Sequence, residues 1–67
     1  MKIDYKRHQI EVTANGEDER WMAVVLIKPS PDNLSYSALH NTIAVWGYHS
    51  RAEAEEAGLR CGKEWLN

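Results

Sequence analysis

"RWMAVVLIK", residues 20–28, is the stretch on which the fold turns. An unbroken apolar run, Trp21 to Ile27, lies between two cations and is rich in β-branched side chains. "KPSPDN" follows it, and the two prolines there stop any regular element. The run is far shorter than the roughly 20 apolar residues that a helix needs to span a bilayer. A buried helical turn is the competing reading, but length, branching and the proline stop favour a strand. This strand is apolar on both sides. Trp21, Ala23, Val25 and Ile27 fall on one face, and Met22, Val24 and Leu26 on the other. A strand in a sheet covered on one side only should alternate apolar with polar, so both faces of this one call for cover or contact.

Working outward, residues 3 to 14 also alternate, with a break in parity. Ile3 and Tyr5 share one face, whereas Ile10, Val12 and Ala14 share the other. A period of two cannot carry both sets on one side. The reading is therefore a bulge near Lys6 to Gln9, or a regular strand that begins only near His8. "ANGEDER" follows; Asn15-Gly16 signals a turn, and the acidic residues after it suggest a loop longer than two residues. On the other side, Leu34 to Asn41 is ambiguous, and "TIAVWGY", residues 42–48, reads as a strand with Ile43 and Val45 opposite Ala44, Trp46 and Tyr48.

The last element announces itself by its cap. Ser50 is a natural N-cap, and Glu53, three residues on, completes a capping box. Acidic side chains crowd the first turns and Lys63 lies near the far end, as the helix dipole favours. Glu56 and Arg60 are spaced for an i,i+4 pair on the solvent side. Ala54, Ala57, Gly58, Cys61 and Trp65 form one stripe, flanked by Leu59 and Leu66. Small residues at 54, 57 and 58 allow close approach to a sheet, and Trp65 is expected to fill the gap at the other end. The expected fold is α+β over a single domain, residues 1–67: a three-stranded antiparallel sheet packed on one C-terminal helix, in the order β-β-β-α. The strands are placed at about 8–14, 20–28 and 42–48 and the helix at about 51–66.

With 67 residues, such a chain buries only about 60% of the surface its unfolded form exposes, which leaves a thin core in need of a staple or a partner. Cys61 is the only cysteine, so no disulfide can form within the chain. "MKIDYKRHQIEV" lacks the apolar stretch of a secretory signal, and a reduced, cytoplasmic setting without membrane association is the expectation. Eight Lys and Arg stand against ten Asp and Glu. Domains that grip phosphates usually carry a basic excess or a basic face. The only local excess here is "MKIDYKR".

Candidate chemistry is sparse. Cys61 lies about three turns into the helix and inside its apolar stripe, where a thiol acts as a small hydrophobe rather than an activated nucleophile. His49 precedes the cap with no nucleophile beside it in sequence. His8, His40, His49 and Cys61 supply zinc-ligand types, but in none of the compact spacings of structural sites. Glu17, Asp18 and Glu19 form a charged loop, and "GEDER" puts acid where a phosphate-cradling loop needs neutral backbone. No catalytic, cofactor-binding or metal-binding residue is assigned, and no enzyme is expected, because one helix on a small sheet rarely preorganises a pocket together with its supporting shell.

"WGYHSRAEAEEAGLRCGKEWL", residues 46–66, resembles the closing strand, cap and helix of many short bacterial proteins of unknown function. The same stretch is similar to the end of the small three-strand-plus-helix modules with which tyrosine recombinases bind arm-site DNA. Trp21, Trp46, Ser50, Glu53, Ala54, Ala57 and Trp65 carry the match, and all of them are structural. The resemblance implies a fold and no inherited site; the recombinase modules carry basic residues on their sheet, and this chain has few.

Two functional expectations follow. The first is a non-enzymatic interaction module that forms a homodimer or binds one protein partner through the face away from the helix, with Met22, Val24 and Leu26 on the contact surface. A simpler fate for that face is cover by loop 29–41, through Leu34, Tyr36 and Leu39. The alternative function is nucleic-acid binding, with Lys6, Arg7, Arg20 and Lys28 as the contacts and strand aromatics as stacking platforms.

Overall fold

A computed structural model describes residues 1–31 and 40–67 of the chain. It contains β1 (Lys2–Tyr5), β2 (His8–Glu17), β3 (Arg20–Pro29), β4 (Asn41–Tyr48) and α1 (Arg51–Leu66). The sheet is four-stranded and antiparallel, in the order β1-β2-β3-β4, with α1 packed on one face. The three-stranded expectation is thereby corrected: the order is β-β-β-β-α.

The extra strand comes from the parity break at residues 3 to 14. Tyr5 pairs with His8 and Ile3 with Ile10, so Lys6 and Arg7 alone make the turn between β1 and β2. Both hold positive φ, 47° and 62°, the pattern of a type I′ hairpin turn. A two-residue reversal places odd residues of one strand opposite even residues of the next, which is why Ile3 and Ile10 share a face. Such turns favour Asn-Gly, because side chains in the left-handed region cost about 1–2 kcal/mol each. Here the surroundings hold the turn. The Lys6 carbonyl accepts from Nδ1 of the buried His8 at 2.7 Å, and the Arg7 carbonyl accepts from the Ser30 amide at 3.1 Å. Met1 extends the ladder by one pair, exchanging two hydrogen bonds with the Val12 backbone.

The second hairpin also differs from expectation. Asn15 and Gly16 lie inside β2, paired with Met22 and Trp21, and the turn is Asp18-Glu19, with Asp18 at φ 55°. Gly16 is needed there for space. A Cβ on it would lie 2.2 Å from the Arg20 carbonyl oxygen and 2.8 Å from Cδ2 of Trp21. Trp21 thus lies over Gly16, and its Nε1 donates to the Asp18 carbonyl at 2.9 Å.

The core is the face shared by α1. Ile10, Val12, Ala23, Val25, Ile27 and Ala54 are fully or almost fully buried. α1 meets the sheet along Ala54, Gly58 and Gly62, a line of small residues four apart, with Ala57 beside it. A Cβ at Gly58 would come within 2.8 Å of Val12 Cγ1, and one at Gly62 within 2.7 Å of Ile10 Cγ2. The helix therefore lies as close to β2 and β3 as backbone permits. Two points of the sequence reading change. Trp65 does not fill a gap but is 38% exposed, while Leu66 packs against the core. Cys61 is half-buried beside that line rather than within it.

Both helix ends are tied. Ser50 Oγ accepts from the Glu53 amide at 3.2 Å, and the Glu53 carboxylate accepts from the His49 amide at 3.1 Å, which puts the return arm of the box one residue before the cap. Arg51 stacks over the Trp21 ring at 5.2 Å. At the other end, Tyr5 donates its hydroxyl proton to Asn67 Oδ1 at 2.8 Å, under the Lys63 ammonium 5.7 Å from its ring. The helix thus runs from the β2–β3 turn towards β1.

Candidate interaction surface

The sheet face away from α1 is built by the alternate residues of each strand. Register fixes its rows. Leu26 stands between Glu11 and Thr42, Val24 between Thr13 and Ala44, and Met22 between Asn15 and Trp46. Lys2 pairs with Glu11 and Asp4 with Gln9 on the far side. The face is consequently divided lengthwise. Its β1–β2 half presents Lys2, Asp4, Gln9, Glu11, Thr13 and Asn15, all polar. Its β3–β4 half presents Met22, Val24, Leu26, Ala44 and Trp46, interrupted by Thr42 and ended by Lys28.

Met22 and Val24 are half-buried, Leu26 is 38% exposed and Trp46 is 70% exposed. A tryptophan left that open carries one of the largest apolar surfaces a side chain can offer. The sequence reading placed Met22, Val24 and Leu26 on this face, and the alternation along β3, with Ala23, Val25 and Ile27 in the core, does so as well. Loop cover by Leu34, Tyr36 and Leu39 concerns positions outside the described residues.

Trp46 reaches this face by regular alternation with Thr42 and Ala44, and a bulge follows it. Met22 pairs with Trp46 but Trp21 pairs with Tyr48, so Gly47 is the extra residue, at φ 95°. Glycine takes that left-handed conformation without the penalty of a Cβ. The inserted residue reverses the alternation. Tyr48 turns to the helix side and packs against the core, contrary to the expectation that it shares a face with Trp46. The periodic pattern of "TIAVWGY" is blind to such an insertion; the glycine near the strand's end was its one visible signal.

At the same end, Trp21, Met22, Trp46 and Tyr48 line a shallow apolar groove of about 450 Å³, with Arg20, Glu19 and His49 at its border. A second concavity, at the hairpin tip, is walled by Glu17, Asp18, Glu19 and Arg20, all of them charged.

The four basic residues do not form one patch: three lie at one end of the sheet and Arg20 at the other. Lys6 and Arg7 occupy the β1–β2 turn, and Lys28 lies near that end of the sheet, opposite Gln9. Arg20 opens β3 at the other end, eight residues from Lys28, or roughly 26 Å along a strand. Glu11 and Asp4 share the open face with Lys2 and Lys28, so it has no single sign of charge.

The histidines are likewise apart. His8 serves the first turn, His40 precedes β4, and His49 follows it. Among the described residues, no three His, Cys, Asp or Glu side chains cluster as metal ligands would. No helix among them is long and apolar enough to cross a membrane. No protein-family model, curated protein or solved structure matches the chain.

Proposed function

We propose that the protein is a non-enzymatic interaction module that works through the open face of its sheet, by self-association or by seating one protein partner. The observation that carries this reading is Trp46, 70% exposed beside Met22 on a half-face that also holds Val24, Leu26 and Ala44. Contiguous apolar patches of this kind, rimmed by polar residues, mark contact surfaces, and aromatic and methionine side chains are enriched in them. The polar half contributed by β1 and β2 would form the rim. A small domain with a thin core also gains stability from a partner that binds only the folded state.

Sedimentation from micromolar to millimolar concentration tests self-association, with a Leu26→Ser/Trp46→Ser double variant as the control for the face. Mass that rises with concentration in the wild type and stays monomeric in the double variant is the expected result. Nucleic-acid binding through Lys6, Arg7, Arg20 and Lys28 is the alternative, and it draws on the resemblance to the arm-site modules. Titration with duplex and single-stranded oligonucleotides at low salt, where any phosphate contact is strongest, decides it. A monomeric chain that binds oligonucleotide there would overturn the reading.

A further inference from the structure

Asparagine followed by glycine has a chemistry of its own, and Asn15-Gly16 is the only such pair in the chain; Asn33 and Asn41 precede Leu34 and Thr42. The backbone nitrogen after an asparagine attacks the side-chain carbonyl carbon, and a glycine leaves that approach unhindered. Asparagine counts among the thermolabile residues. In a turn the pair would be free to react. Here it lies in β2, with only Glu17 between it and the Asp18-Glu19 turn, and both residues are exposed.

The ladder treats the two sides of this peptide unit differently. Val12 exchanges both its backbone hydrogen bonds with Met1, on the β1 side. Alternation along an antiparallel strand then turns the N–H and C=O groups of Ala14 and Gly16 the same way, and those of Thr13, Asn15 and Glu17 towards β3. The β1 ladder ends at Met1 and Val12, so the Gly16 amide, which is the nucleophile, has no backbone partner among the described residues. The Asn15 carbonyl, on the other side of the same unit, faces its partner Met22. Ring closure requires this unit to rotate about the Asn15 Cα–C bond. That rotation takes the carbonyl away from Met22 and displaces Gly16, which lies so close under Trp21 that a Cβ would come within 2.7 Å of the Trp21 Cα. The nucleophile is free, and the pairing to β3 is the latch.

We propose that Asn15 is a deamidation site gated by opening of the β2–β3 hairpin tip. With the tip open, the Gly16 nitrogen gives its proton to solvent base and attacks Asn15 Cγ. The N–Cγ bond forms, the Cγ–Nδ2 bond breaks, and the amide nitrogen leaves as ammonia. Water then opens the succinimide at either carbonyl, leaving aspartate or isoaspartate at position 15. Either acid brings a carboxylate to the groove that Asn15 lines together with Met22 and Trp46. Isoaspartate also adds a carbon to the backbone, which puts the Gly16–Trp21 and Glu17–Arg20 pairs out of register. The modification therefore alters the apolar end of the open face, and whatever holds the tip shut preserves it.

Ageing the chain at neutral pH, folded and in urea, tests this, with peptide mapping for the position and isoaspartyl methyltransferase for the product. Conversion at Asn15 should be at least about tenfold slower in the folded chain, because only the fraction with an open tip reacts. Asp18 holds φ 55°, a conformation that β-branched side chains resist. Asp18→Val should therefore raise the folded-state rate at least about threefold and leave the rate in urea unchanged. Asp18→Gly takes positive φ freely and should not exceed the wild-type rate; it decides the matter where circular dichroism shows the valine variant unfolded. Equal rates for the folded and urea-treated wild type would overturn the gate. So would a folded Asp18→Val chain that reacts no faster than the wild type, or an Asp18→Gly chain that reacts faster. Conversion at Asn33 or Asn41 in place of Asn15 would overturn the site.

Discussion

Ile27 and Leu26 are neighbours in β3, similar in size and composition, yet they live in different surroundings. Ile27 has no exposed surface and lies in the core beneath α1; Leu26 is 38% exposed on the opposite face. The same division runs along the strand, with Ala23 and Val25 beneath the helix and Met22 and Val24 away from it. One face is closed by a helix that approaches through glycine and alanine. Along β3 the other carries comparable apolar material and, among the described residues, no helix. Along this strand the difference is coverage by the described residues rather than chemistry, and an apolar surface that they leave exposed is where contact is to be sought.

The sharpest way to break that comparison is to truncate both neighbours. Ile27→Ala should cost about 3 kcal/mol in denaturant unfolding, since it removes buried methylenes and leaves a cavity. That would be a large part of the stability of so small a domain. The close approach on the covered face is tested by Gly58→Ala. The new methyl would press on Val12, itself buried, and the overpacking outweighs the better helix propensity of alanine, for a net loss of about 1–2 kcal/mol. A Gly58→Ala variant as stable as the wild type would mean that the helix lies further from the sheet than described.

A smaller effect, of opposite sign, is expected at the first turn. Replacing Lys6-Arg7 by Asn-Gly should stabilise the protein by about 1 kcal/mol, because both positions hold positive φ. A loss of stability there would show that side-chain contacts of Lys6 or Arg7, such as Lys6 over the Tyr5 ring at 5.8 Å, outweigh the backbone cost. The smallest change completes the pair with Ile27. Leu26→Ser, measured at a concentration where the chain is monomeric, should shift stability by no more than about 0.5 kcal/mol. If it costs as much as Ile27→Ala, the open face is covered within the monomer and the comparison fails.

Most of the helix was legible because its signals are local. Ser50 and Glu53 act within one turn, and the small residues at 54, 57 and 58 repeat with the helical period, so α1 lies where the pattern puts it. β3 was legible for a similar reason, and with it the assignment of Met22, Val24 and Leu26 to the face away from the helix. The fourth strand was not. Lys6-Arg7 has none of the residues that favour a tight hairpin, so the parity break at Ile3 and Ile10 suggested a bulge or a strand that begins only near His8, and not a separate β1. Asn15-Gly16, by contrast, has the chemistry of a turn and lies in a strand, because Gly16 makes room for Trp21.

The same limit governs the candidate surface. Alternation predicted one face for Trp46 and Tyr48 together, and the Gly47 bulge sends them to opposite faces. Where the register slips cannot be read from periodicity, since the pattern on either side of the slip is intact.

The sequence by itself determined α1, β3, β4 and most of β2, and which residues share a face within each uninterrupted strand, because both follow from short-range periodicity and capping. Only the tertiary structure decided where the chain reverses, which alternation survives a bulge, and how polar and apolar halves line up across the open face. Those features depend on pairing between distant residues, and a turn or bulge that local preference disfavours is held in place by the contacts it makes possible.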